Sequence, residues 1–270
     1  MPADEEAQIW GGTFAAGKSL VDEKPPSPPS PKSSTDIPHP RNSMLVAPDT
    51  LHQTMHTTGG DMPSQGTVLA ALTVVMPPHD GADEQVDWDA IRRAWGVGFP
   101  SDYIAFMSTY GAGGIGGALS VVTPEASTQP ADSPDLGGMA AETANMRHMW
   151  ESEGGPDEVD GGPDSVVAWG VSCGADILGW LTVDHDPNKW PVVVWERHGW
   201  PHWKIYDCGM AEFLRRLFTN GFDECPLSDL SLWGEPSPHF VHWREERRRW
   251  ESGVDPYTGE PDPYFGMKFD

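Results

Sequence analysis

The chain has 270 residues and a formal net charge of −24, from 41 Asp plus Glu against 17 Lys plus Arg. That balance excludes a protein whose main task is to grip a phosphate backbone or an anionic membrane, because both select basic patches. It favours solubility and fast association with a basic partner.

Of the 13 Trp, 12 lie after residue 80, which predicts one globular region behind an N-terminal tail. Residues 1–66 are rich in Pro, Ser, Thr and Asp, and Pro25–Pro31 reads PPSPPSP. Such a segment buries too little apolar surface to offset chain entropy, so it is expected to be a disordered linker. Gly12–Ser19 spells the phosphate-loop pattern G-x-x-x-x-G-K-S. No buried strand precedes it and Pro25 follows too soon for a helix, so no nucleotide site is expected. The N-terminus is acidic where an export signal is basic. The longest apolar stretch, Val68 to Met76, is too short to span a bilayer. Three cysteines (Cys173, Cys208, Cys225) give no disulfide framework, and a reduced, cytoplasmic setting is expected.

Asp87 is placed to cap a helix through Trp88, Ile91 and Trp95, ended by Gly96 and Gly98. Pro100 suits the first turn of a second helix with the stripe Tyr103, Phe106, Met107, Tyr110 and a Gly111 C-cap. Residues 111–117 look too glycine-rich for regular structure. Ala118–Val122 reads as a strand, Leu136–Trp150 as a helix, and Glu151–Asp164 as an exposed acidic loop. The period then shortens. Val166–Trp169, Ile177–Val183, Val192–Trp195 and Trp203–Tyr206 read as an antiparallel meander joined by turn chemistry. Asp207 is expected to cap a helix carrying Met210, Phe213, Leu214, Leu217 and Phe218. Phe240–Trp250 is expected to form a short helix whose Arg244, Arg247, Arg248 and Arg249 make a salt-bridged face with Glu245 and Glu246. Whether Asp255–Phe265 docks is left open. The order is that of an α+β domain: N-terminal helices, a twisted antiparallel sheet and a closing helix, with helices on one side or end of the sheet. The expected organisation is a tail over 1–66, the α+β domain over 67–222 and a C-terminal extension over 223–270.

No nucleophile elbow, H-E-x-x-H or paired C-x-x-C is present. His198 and His202 are separated by Gly199 and Pro201, which opposes a helical metal pair. Asp184-His185-Asp186 reads as a solvated turn and Cys173 as a small apolar residue. No catalytic residue, metal or cofactor is therefore assigned. Six indoles, Trp169, Trp180, Trp190, Trp195, Trp200 and Trp203, fall within 35 residues. One face of a sheet does not easily hide six, so some are expected to be exposed anchors beside the acidic loops.

Phe99-Pro100-Ser101-Asp102-Tyr103-Ile104-Ala105-Phe106, then Tyr110-Gly111 and the glycine stretch, resembles the L-P-x-D-Y-x-x-F opening of the SUKH superfamily. Trp169-Gly170, then Gly174-Ala175-Asp176 to Trp180, is similar to its W-G…G-D-x-x-x-W strand pair, and Phe213-Leu214 to the F-L of its closing helix. The resemblance covers about residues 85–220 and includes the Smi/Knr cell-wall regulators of yeast and many bacterial immunity proteins. It implies the same α+β fold, and binding rather than catalysis.

An acidic antidote suits the basic cleft of a nuclease toxin. The expected partner is a basic cognate toxin, not nucleic acid or membrane. On exposure arguments, Glu151, Glu153, Asp157, Glu158 and Asp160 would steer, while Gly113, Gly114, Trp180, Asp184, Asp186 and Trp200 would supply shape and anchors. The alternative is an intracellular interaction scaffold in signalling or cell-envelope regulation, worked by the tail. An enzyme using Cys173 or the histidines is the weakest reading.

Overall fold

The computed structural model describes residues 65–79, 85–126 and 138–267. The Gly12–Ser19 motif, the Pro25–Pro31 run and the expected tail lie outside the described residues, save Gln65 and Gly66. Those two open helix α1 (Gln65–Val75), where the sequence showed only an apolar stretch.

Helix α2 (Trp88–Trp95) forms as its punctuation predicts. Asp87 accepts from the Ala90 amide at 2.9 Å, and Gly96 closes the helix at φ +71°. Helix α3 (Ser101–Thr109) follows Pro100 and buries Tyr103, Phe106 and Met107. Helix α4 (Met139–Glu153) buries Met139, Ala140, Thr143, Met146 and Trp150 along one stripe. Helix α5 (Met210–Phe218) begins after Gly209. Its cap corrects the expectation, because Asp207 makes no capping bond. Instead Asp102, from α3, accepts from the Ala211 amide at 3.0 Å. A side chain at 209 would meet Asp102 Oδ2 at 2.5 Å, so glycine is required there. Burial raises the Asp102 carboxyl above its ordinary range, and backbone N–H groups partly offset this.

Among the described residues seven strands form one antiparallel sheet: β1 (Gly113–Ile115), β2 (Leu119–Val121), β3 (Val166–Ser172), β4 (Ile177–Leu181), β5 (Val192–Trp195), β6 (Trp203–Tyr206) and β7 (Phe240–His242). Their order is β6-β5-β4-β3-β2-β1-β7. Strands β3 to β6 are the expected meander, β2 is the separate strand expected at Ala118–Val122, and β1 and β7 were not expected; β7 adds to the free side of β1.

The glycine stretch is not an irregular loop. Gly113–Ile115 is the buried strand β1, and Gly116 and Gly117, at φ +59° and +70°, with Ala118 form its three-residue turn into β2. A Cβ at Gly113 would lie 2.2 Å from the Val241 carbonyl oxygen of β7. Glycine there lets the C-terminal strand approach.

The sheet is covered on both faces, not on one. Helices α1, α2, α3 and α5 pack one face with Val167, Trp169, Leu178, Trp180, Val192 and Val194. Helix α4 covers the other, over Val166, Ala168, Ile177, Val193, Trp195 and Trp203. This resolves the crowding of indoles: Trp169, Trp180 and Trp190 lie on one side, Trp195 and Trp203 on the other. Trp200 alone of the six is exposed, at 88%.

The C-terminal helix starts later than expected, because Phe240–His242 joins the sheet and α6 is Trp243–Glu251. Its basic face is salt-bridged: Glu245 pairs with Arg248 and Arg249. The Asp255–Phe265 segment docks. Tyr257 lies against Gly114 and Gly117 and donates to Glu246 at 2.9 Å. Among the described residues, no helix is long and apolar enough to cross a membrane.

Candidate binding surface

The exposed indole of Trp200 sits on the turn between β5 and β6. Four contacts hold this turn. Trp195 donates from its indole N–H to Glu153 Oε2 at 3.0 Å, tying β5 to the C-terminal end of α4. The His202 ring stacks on Trp195 at 6.0 Å and meets Trp200 edge-on at 5.7 Å. Trp150 of α4 packs on Trp203 at 5.4 Å. The first of these brings Glu153 beside the hairpin that carries Trp200.

Asp176 fixes the base of the same hairpin. It is fully buried and accepts four bonds: from Ser172 Oγ at 2.7 Å, Arg197 N at 3.0 Å, Ser228 N at 2.9 Å and Ser228 Oγ at 2.5 Å. One carboxylate thus joins the β3–β4 turn, the start of the Trp200 turn and the 226–229 loop. Nearby, Lys204 of β6 bonds Glu196 and Glu224, both at 2.9 Å. Burial opposes the Lys204 charge, but the two glutamates more than offset it and hold the ammonium above its ordinary range.

Glu151, Asp157, Glu158 and Asp160 are exposed as expected, although Glu151 and Glu153 belong to α4 rather than to a loop. Asp184 and Asp186 are exposed but lie beyond β4, at the opposite end of the strands from Trp200. They organise their own turn. Asp184 accepts from Asp186 N at 2.8 Å, and Asp186 from Asn188 N at 3.0 Å. Three positions lose the exposure on which their choice rested. Gly113 and Gly114 are buried in β1, and Trp180 is 0% exposed in the core, with Tyr103 edge-on at 5.0 Å. Alternation along β4 places Trp180 inward, which a single-face view of the sheet misjudged.

Burial raises the Cys208 thiol to about 12, and burial followed by Asp229 and Asp176 raises Cys173. Among the described residues, no three His, Cys, Asp or Glu side chains gather as a metal site.

Sequence reasoning missed the roles of Asp176, Glu196 and Lys204 in building this surface. The available signal was the Gly174-Ala175-Asp176 turn, where Ala175 adopts φ +62°.

A family model described as SMI1-KNR4 cell-wall matches residues 85–214, from the residues before α2 through most of α5. No curated protein and no solved structure matches the chain. The match spans the two motif regions that the geometry singles out, Asp102 with its α5 cap and Asp176 with its hairpin. That match, over 130 of the 270 residues, supports membership of the SUKH superfamily for the 85–214 segment.

Proposed function

We propose that the chain is a non-catalytic immunity protein that acts in the cytoplasm and neutralises a basic cognate toxin, with nuclease chemistry the best fit to its charge. The SUKH domain is consistent with toxin-immunity and cell-wall regulator roles and is generally non-enzymatic. The observation that carries the reading is Trp200. It is an 88% exposed indole, edge-on to His202, on a hairpin whose Trp195 bonds Glu153 at the end of α4, in a chain of net charge −24. Trp is among the residue types most enriched at interface hot spots, and the acidity would steer a basic partner. Nucleic acid, membranes and cofactors are not among its proposed ligands.

The test is affinity capture of the tagged chain from its native cytosol at low and high salt. A single basic, stoichiometric partner whose toxicity the chain suppresses is expected. Trp200→Ala should weaken that complex about tenfold or more while shifting fold stability by under about 0.5 kcal/mol, as an exposed residue should. Capture indifferent to Trp200→Ala, and lost on deleting residues 1–62, would replace this reading with the regulatory scaffold that the cell-wall description of the family favours.

A further inference from the structure

Strand β6 (Trp203–Tyr206) is a free edge of the sheet. Glu196 N donates to His202 O at 2.7 Å, which sets the parity of the β5–β6 ladder. Lys204 and Tyr206 therefore face β5, although at the strand's end the Val192 amide donates to the Cys208 carbonyl at 3.1 Å. The N–H and C=O of Trp203 and Ile205 point the other way. No group among the described residues bonds them. A lysine in a short edge strand ordinarily blocks pairing. Here Lys204 is drawn aside by Glu196 and Glu224.

The flanks of this edge are acidic. Asp207 follows the strand, and Asp223 and Glu224 lie alongside it. All three are exposed, with Phe222 fixed to Tyr206 at 4.9 Å and Glu224 to Lys204. A second copy would bring the same carboxylates against themselves on a chain of −24. A basic extended segment would meet complementary charge.

We propose that β6 is a strand-addition site that takes a basic, extended segment of the partner, pairing it with the outward N–H and C=O of Trp203 and Ile205. This rests on the reading of the Trp200 surface as the binding face for a basic protein. Trp200, three residues before the strand, would anchor the segment's end, and Asp207, Asp223 and Glu224 would select its lysines and arginines.

The test uses the full chain and a labelled ten-residue peptide of alternating lysine and valine. A second peptide is methylated at the backbone nitrogens of every other residue, in both registers in turn. Glutamate in place of lysine gives the charge control. The expected result is binding of the basic peptide, about tenfold weaker binding in one methylated register, no binding of the acidic peptide, and slowed amide exchange at Trp203 and Ile205. No binding of the basic peptide at low salt overturns the proposal. Equal binding of both methylated peptides, with unchanged exchange at the two amides, also overturns it. If that unselective binding is weakened by Glu151→Gln and Glu153→Gln, the acidic face still recruits a basic partner and strand addition alone has failed.

Discussion

Asp176 provides the strictest test of how the surface is built. The residue is 0% exposed, and its two oxygens serve four donors, of which the Arg197 and Ser228 amides are backbone groups. Asp176→Ala leaves both amides without that acceptor. A buried donor left unsatisfied costs about 1–3 kcal/mol, so the pair costs about 2–6 kcal/mol. Asp176→Asn keeps the shape but turns one acceptor into a donor. The Ser172 and Ser228 hydroxyls rotate to suit it, whereas one backbone amide does not, so about 1–3 kcal/mol is expected. Urea titration followed by Trp fluorescence reads both values. Amide exchange at Arg197 reads whether the hairpin base has opened. A loss under about 1 kcal/mol for Asp176→Ala, with Arg197 exchange unchanged, would refute the assignment of Asp176 as the tie between hairpin and 226–229 loop.

Leu72→Ala should cost about 2–5 kcal/mol in the same titration, because Leu72 is fully buried although α1 lies outside the family match. Gly114→Ala should displace Tyr257, whose Oη would lie 1.8 Å from the new Cβ. The C-terminal segment should then become protease-sensitive while the sheet stays folded. Bonds from Arg248 and Arg249 lower the Glu245 carboxyl to about 2. Its stabilisation is therefore present above the ordinary carboxylate value of about 4.5 and lost as pH falls through about 2. The side-chain NMR signals of Arg248 and Arg249 should shift across that window, and Glu245→Gln should flatten the change.

The fold was legible wherever the signal was local. Asp87, Pro100 and Gly96 punctuate α2 and α3 through their own backbone preferences, and the β-branched and aromatic runs mark β3 to β6. The candidate surface was half legible. Trp200 and the acids around α4 are exposed, as charge and turn chemistry suggested. Trp180 and the glycines are buried, because which side of a sheet is covered depends on helices elsewhere in the chain.

Composition and pattern thus determined by themselves the acidic character, the helix–meander–helix order and the family resemblance, since each is a property of neighbouring residues. Only the tertiary structure decided that Asp102 caps a helix 109 residues away and that Asp176 holds a loop 52 residues away. It also decided that glycines make room for β7 and Tyr257, and that α4 hides two indoles on the second face. These depend on burial and on partners distant in sequence, and a carboxylate or a glycine carries no local mark of what will be packed against it.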